Sequence, residues 1–238
     1  MQKMSFVLRW MLAGMALVFL LGGCSSIDDL LFGEDETLNP AELMTQGIER
    51  MDKAQYKAAV ESFQMIKDRY PYSKYAVMAE LRMADALYQT EEYDAAYEAY
   101  DQFERLHPKN KQIPYVVYKK GMCHFLQMST NDREQTHTFK AKEEFERLIR
   151  RFPKDDYAYR ARKNIRKCLI FLSEYELVVG HFYFKMGKYQ AAMARYSYIV
   201  YNYPDMGQYN EALEYISRCK QRLAEEAVEA AEAAKKEG

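Results

Sequence analysis

Residues 93–108 read YDAAYEAYDQFERLHP, and the spacing of three residues among them predicts the fold class. Ala96, Tyr100 and Pro108 follow one another in steps of 4 and 8 residues. A small residue lets two helices approach closely, an aromatic residue four positions later lies on the same helix face, and a proline ends the helix. The same phrase recurs as Ala59-Phe63-Pro71, Ala141-Phe145-Pro153 and Ala192-Tyr196-Pro204.

A second small residue precedes each of these alanines. Gly47, Ala84 and Gly180 lie 12 residues before their alanine, whereas Gly121 lies 20 residues before its own, so the third copy carries about eight extra residues. Four such phrases in register are typical of the tetratricopeptide repeat, a pair of antiparallel helices about 34 residues long. The fold class predicted is all-α, with the repeats stacked into a superhelix.

Composition agrees with a helical binding protein. Hydrophobic residues make up 49% of the 238 residues, which suffices for a core, and only 10 residues are glycine. No run of alternating apolar residues is long enough to predict a strand. The formal net charge of −1 gives no global attraction to nucleic acid, and no nucleic acid is expected as a partner.

Residues 1–23 are predicted to be a lipoprotein signal peptide. Lys3 and Arg9 precede an apolar run, 10–21, that is too short to span a bilayer. The sequence Leu-Gly-Gly-Cys at 21–24 has the form of a bacterial lipobox, which makes Cys24 the predicted lipid-attachment site and mature N-terminus. The alternative is an ordinary signal peptide with a chance cysteine.

Residues 24–39 are predicted to be a lipidated tether. Five acidic residues and no periodic apolar face favour a flexible linker. Four apolar side chains leave open docking on the first repeat or near lipid headgroups: Ile27, Leu30, Leu31 and Phe32.

The remaining chain divides by proline and polar segments into helices. They are predicted at Pro40–Met51, Tyr56–Asp68, Lys74–Tyr88 (with Ser73 as its N-cap), Tyr93–Leu106, Tyr115–Gln127, Phe139–Arg151, Tyr157–Lys185, Tyr189–Tyr201 and Tyr209–Ala234. The polar segment 129–138 is predicted to be an inserted loop, either functional or a tolerated surface insertion. Residues 40–127 are assigned to N-terminal repeats, and residues 128–238 to C-terminal repeats with a capping helix.

No pattern of residues predicts catalysis. The four histidines have no helical pairing at i+3 or i+4, and no phosphate loop, metalloprotease motif or nucleophile elbow occurs. We therefore expect no catalytic residues, no metal and no cofactor. The three cysteines after Cys24 are expected to be free and buried, although the compartment permits disulfides: Cys123, Cys168 and Cys219.

Two binding surfaces are predicted from the repeat register. First helices of stacked repeats line a concave groove, and its candidate substrate-binding residues are Met44, Ile48, Leu81, Asp85, Tyr88, Tyr118, Met122 and Phe125. For each of them, packing against a neighbouring helix is an equally good interpretation. A basic stretch at the junction of repeats three and four provides candidate partner-docking residues, with a plain solvated face as the alternative: Arg160, Lys163, Lys167, and Arg195 on the next helix.

Several segments together resemble the BamD family of outer-membrane β-barrel assembly lipoproteins. They are the lipobox, RYPY at 69–72, IPYVVYKKG at 113–121, NDREQTH at 131–137, FLSEYE at 171–176 and YFKMG at 183–187. The resemblance implies five repeats, a non-enzymatic role, and anchoring to the periplasmic face of the outer membrane by lipid on Cys24. It implies that the N-terminal repeats receive unfolded β-barrel proteins and that the C-terminal repeats dock on the periplasmic domains of BamA, alongside other Bam lipoproteins. The alternative is another periplasmic repeat lipoprotein, acting as a pilotin or as an adaptor for peptidoglycan enzymes.

Overall fold

The computed structural model describes residues 38–130 and 133–237. The signal peptide, Cys24 and all but the last two residues of the tether lie outside this part. The described chain forms nine α-helices: α1 Pro40–Asp52, α2 Tyr56–Arg69, α3 Ala76–Gln89, α4 Tyr93–Leu106, α5 Ile113–Phe125, α6 Thr136–Arg151, α7 Asp156–Lys185, α8 Tyr189–Asn202 and α9 Tyr209–Glu237. None of these helices has the length and apolar character needed to cross a membrane.

The helices stack as antiparallel pairs, which confirms the predicted fold class. Four complete pairs, α1/α2 to α7/α8, precede α9, so the fifth repeat is represented by one helix in the described residues. Inside a pair, the small residue of the first helix lies against the aromatic ring of the second. A Cβ atom added to Gly121 would stand 2.6 Å from Phe145, and one added to Gly47 would stand 2.4 Å from Phe63. The repeated phrase therefore sets the distance between the paired helices.

The core consists of three clusters in sequence along the array. The first cluster is formed by the first repeat and part of the second. The second and largest cluster extends from α3 to the first half of α7. The third is formed by the rest of α7 with α8 and α9. The long helix α7 belongs to two clusters, through Cys168 in one and Leu172 in the other. The three cysteines are free and buried, as predicted.

Three predicted helix starts differ from the observed ones by two residues or more. Ser73 does not cap α3: it lies in a turn whose backbone bonds run from Ser73 to Tyr70 and from Ala76 to Ser73, and the helix begins at Ala76. Helix α5 begins two residues early, at Ile113, because Pro114 is tolerated in a first turn, where no N–H bond is lost.

Helix α6 begins at Thr136, so the loop of the third repeat is shorter than predicted. The side chain of Gln135, which is buried, organises this start. Its amide donates to the carbonyl oxygens of Thr130 at 3.0 Å and Arg133 at 2.8 Å, while its Oε1 accepts from Thr138 at 2.7 Å. A glutamine before a helix is not a recognised capping signal, so the start of α6 at Thr136 was not predicted from the sequence.

The turns inside three pairs share one backbone conformation. Two residues beyond α1, α3 and α7, the chain adopts the left-handed region at Ala54 (φ 55°), Glu91 (φ 63°) and Gly187 (φ 71°). Only glycine takes this conformation without steric cost. The first two repeats therefore hold a strained residue where the fourth has glycine.

Candidate functional site

A cleft of about 460 Å³ opens where the first turns of α3, α5 and α7 meet. First helices of successive repeats run parallel, so their N-terminal ends lie along one edge of the array. Apolar and aromatic side chains form the floor of the cleft and cations stand at its rim. The floor comprises Val77, Met78, Leu81, Tyr115 and Tyr157, and the rim includes Lys74, Arg82 and Lys111.

Aromatic contacts hold the floor of the cleft together. The rings of Tyr115 and Tyr157 meet edge to face with centroids 5.4 Å apart, and the centroid of Tyr118 lies 5.3 Å from that of Tyr157. These contacts join α5 to the first turn of α7, where Asp155 caps the helix by accepting from the backbone N–H of Tyr157 at 2.8 Å. The floor is thus built from three repeats, and the aromatic contacts join two of them, the third and the fourth.

Asp85, a predicted groove residue, lines the cleft but is buried. Its Oδ1 accepts hydrogen bonds from the hydroxyls of Tyr100 at 2.7 Å and Tyr115 at 2.6 Å, and its Oδ2 pairs with Arg82 at 3.2 Å. Burial, together with the nearby Asp85 carboxylate, raises the pKa of both tyrosines far above the usual range, so their hydroxyls stay protonated donors. Asp85 therefore bridges α3, α4 and α5, and its charge is already compensated within the chain.

The predicted groove residues of the first repeat do not form a common surface. Met44 is only 4% exposed and belongs to the core of that repeat, so it cannot line an open groove. Ile48 is 41% exposed. In the second repeat, Leu81 lies in the cleft, while Tyr88 packs edge to face on Tyr93 with centroids 5.6 Å apart.

The groove residues of the third repeat are partly covered by α7. Asn164 Nδ2 lies 3.4 Å from the Tyr118 hydroxyl and 3.2 Å from Met122 Sδ, and Lys167 Nζ stands 5.8 Å from the ring centroid of Phe125. For these three positions, packing against the neighbouring helix describes the geometry better than an open groove. The open apolar surface lies nearer the helix N-termini, and of its floor residues the sequence analysis selected only Leu81.

The predicted docking residues fall in two places. Arg160, Lys163 and Lys167 are exposed on the first half of α7, each near an aromatic ring, and none has an ion-pair partner among the described residues. No acidic residue occurs between positions 156 and 174. Arg195 on α8 instead pairs with Glu176 Oε2 at 3.0 Å. Since Glu176 is 16 residues beyond Arg160, the two places are about 24 Å apart along the helix.

Other basic residues, on both helices of the third repeat, are neutralised inside the array. Lys120, almost fully buried, lies 2.5 Å from Asp101, 3.3 Å from Glu104 and 3.5 Å from Glu144, and Arg147 and Arg151 also bind Glu104. Burial alone would raise the pKa of Glu104, but hydrogen bonds from both arginines outweigh it and hold that pKa at about 2. This cluster joins repeats two and three and is not available to a partner.

The structure also brings together two histidines that the sequence keeps 13 residues apart. His124 Nδ1 and His137 Nδ1 are 3.4 Å apart, across the inserted loop of the third repeat. Burial, with His137 and Lys140 nearby, lowers the pKa of His124 and favours its neutral form. No group of three or more metal-ligating side chains is found within residues 38–130 and 133–237.

Comparison with known proteins gives consistent matches. The family model described as "YfiO: Outer membrane lipoprotein" matches residues 36–236. The outer membrane protein assembly factor BamD of Rickettsia prowazekii is 32% identical over 194 residues, which cover 82% of this chain and 76% of that protein. The protein of the same name from Vibrio cholerae is 25% identical over 222 residues, which cover 89% of this chain and 90% of that protein.

Solved structures with a similar arrangement of helices have low sequence identity. The structure described as "TPR2AB-domain:pHSP90-complex of yeast Sti1" gives a TM-score of 0.44 at 14% identity, covering 77% of this chain and 70% of that one. The MamA protein gives a TM-score of 0.41 at 14% identity, and the match covers 82% of this chain and 94% of that one.

Proposed function

The chain belongs to the YfiO family of outer-membrane lipoproteins, whose relatives are named outer membrane protein assembly factor BamD, and from this premise we propose that it receives unfolded outer-membrane β-barrel proteins and docks on the barrel subunit BamA. The family is one of non-enzymatic assembly factors. Its role is binding, and insertion is driven by the folding free energy of the client.

The cleft between α3, α5 and α7 is the observation that carries the proposal. An unfolded barrel protein exposes strand edges that aggregate unless they are held apart. An extended strand presents side chains alternately to two faces, so one face fits the apolar floor at Met78, Leu81 and Tyr115. The cations at the rim favour a client segment with a carboxylate, including a chain terminus.

The lipid on Cys24 would hold this cleft near the membrane. Cys24 is 14 residues before Leu38, where the described chain begins, and that length spans at most about 50 Å. More than one acyl chain is needed for stable anchoring. We infer that the protein is anchored to the periplasmic face of the outer membrane, with BamA and other Bam lipoproteins as its partners there.

The docking surface is proposed on α7 and α8. The unpaired cations of α7 suit an acidic surface on the periplasmic domains of BamA. Arg195 is a separate contact, because its guanidinium must exchange or share its present partner Glu176. The two sets should consequently be altered in separate variants rather than together.

Client binding is tested with the lipid-free mature chain carrying Cys24→Ser. A fluorescent peptide copying the last strand of an outer-membrane barrel protein is titrated by anisotropy, with a scrambled peptide as reference. Met78→Glu should weaken binding at least tenfold, since it puts a carboxylate on the apolar floor. Met186→Glu is the matched control, because Met78 is 53% and Met186 57% exposed but only Met78 lines the cleft. Equal affinities for the two variants would contradict the assignment of the cleft.

Docking is tested by affinity recovery of BamA from native envelopes in mild detergent. Arg195→Glu and, separately, Arg160→Glu with Lys163→Glu should each lower recovery while leaving the helical circular dichroism unchanged. Unaltered recovery with all three changes would reject the assigned surface. Recovery of a secretin or of cell-wall enzymes in place of BamA would move the function to the alternative of a pilotin or peptidoglycan-enzyme adaptor.

A further inference from the structure

The floor of the cleft is uncovered in the described part of the chain. Val77 and Met78 stand in the first turn of α3 and are 37% and 53% exposed. The rim cations Lys74 and Lys111 have no carboxylate partner among the described residues, whereas Arg82 is compensated by Asp85. An apolar surface beside uncompensated cations selects an occupant that is both apolar and acidic.

The described chain begins at the same edge of the array. Leu38 packs on the core of the first repeat, and its carbonyl oxygen accepts from the Tyr70 hydroxyl at 3.2 Å. Tyr75, which packs on that core as well, directly follows the rim residue Lys74. Leu38 and Tyr75 therefore lie against the same core cluster, and Tyr75 is next in the chain to the cleft residue Lys74. The polypeptide preceding Leu38 thus starts beside the cleft.

The sequence of that polypeptide has the required chemistry. Residues 27–36 read IDDLLFGEDE, with four apolar side chains and five carboxylates. Phe32 is six residues before Leu38, and six extended residues give its ring a reach of about 20 Å from Leu38. The acidic residues between Phe32 and Leu38 would then pass Lys74.

We propose that residues 27–36 of this chain occupy the cleft when no client is bound. Leu31 and Phe32 cover Met78 and Tyr115, and the flanking carboxylates pair with the rim cations. The segment keeps the apolar floor out of water and makes a client compete for it. This regulatory consequence rests on the proposed function, whereas the docking of the segment does not.

The expected size of the competition follows from tethering. A segment on a short linker has an effective concentration of about 1 mM, so a segment with a dissociation constant of about 0.1 mM lowers client affinity about tenfold. Deleting residues 27–36 should therefore strengthen binding of the client peptide by about that factor.

Disulfide trapping tests the docking directly, in the full mature chain with Cys24→Ser. Phe32→Cys is combined with Met78→Cys in one protein and with Met186→Cys in the control. The buried native thiols do not compete, since burial raises the pKa of Cys123 and Cys168 to about 12. We expect an intramolecular bond to Met78→Cys at least tenfold faster than to the control, and slower bonding when Lys74→Glu and Lys111→Glu are added.

Three results would overturn the proposal. The first is an equal trapping rate at the two positions, and the second is trapping only between two molecules. The third is loss of trapping when the lipidated protein is placed in phosphatidylethanolamine–phosphatidylglycerol vesicles. That loss would show that the segment binds lipid headgroups instead of the cleft. Fast trapping with no effect of the deletion on client affinity would leave the docking intact and reject the cleft as the client site. Slow trapping with normal client binding would reject the docking of the segment and leave the cleft as the client site.

Discussion

Replacing Lys120 with methionine should destabilise the array strongly. Its ammonium group lies within 3.5 Å of carboxylates from Asp101, Glu104 and Glu144, and its side chain is 4% exposed. Methionine has a similar length and is apolar, so packing volume is nearly kept. The change therefore isolates the loss of the buried charge.

The expected loss of stability follows from the carboxylates that stay buried once the ammonium group of Lys120 is removed. Removing one member of a buried ion pair costs about 3–5 kcal/mol, because the partner remains buried and uncompensated. Here Arg147 and Arg151 still bind Glu104, so the lower end, about 3 kcal/mol, is expected. For a chain of this size, that loss lowers the Tm by about 6–12 °C.

The assay is urea and thermal unfolding followed by circular dichroism, with Lys119→Met as the matched control. Lys119 is the next residue of the same helix, but its Nζ lies over the ring of Tyr88, 3.3 Å from the centroid, rather than among carboxylates. Losing that contact should cost about 1 kcal/mol or less. If the two variants lose equal stability, or Lys120→Met loses under about 1 kcal/mol, the buried cluster does not act as reasoned.

Three further outcomes are expected. Tyr115→Phe should cost about 1–2 kcal/mol by removing the 2.6 Å hydrogen bond to buried Asp85, measured by urea unfolding; no loss would show that water replaces the hydroxyl. Glu91→Gly should stabilise by about 1 kcal/mol, because glycine accepts its φ of 63° as Gly187 does in the fourth repeat; a lower Tm would contradict this. The pKa of Glu104 is about 2 in the folded protein, below its usual 4.5, so its ionised carboxylate stabilises the fold above pH 4.5. Up to about 3 kcal/mol of the free energy of unfolding should be lost as the pH falls towards 2, and Glu104→Gln should remove most of this pH dependence.

Sequence spacing predicted the helix pairs because their contacts are local. Gly121 meets Phe145 inside one helical hairpin, and the same pairing recurs with Gly47 and Phe63, so a fixed spacing encodes it. The start of α1 at Pro40 was also predicted, and there the structure shows a capping box formed by Asn39 and Glu42. Sequence rules that act within one hairpin are therefore sufficient for the fold class.

Which of the predicted site residues are open to a ligand depends on contacts between repeats. Asp85 is bound by Tyr115, 30 residues later, and Tyr118 by Asn164, 46 residues later. Which first-helix side chains stay open is decided by the superhelical twist and by how closely α7 approaches α5. Neither is encoded in the spacing of one repeat, so residues such as Met78 were missed.

Helix α7 extends without a break over 30 residues, about 45 Å. Its first turn supplies Tyr157 to the cleft, and its second half carries Glu176, which holds Arg195. Both halves of the helix are packed into core clusters, through Cys168 in one and Leu172 in the other. The cleft and the Glu176–Arg195 pair therefore share one continuous backbone element, which fixes the distance between the two surfaces.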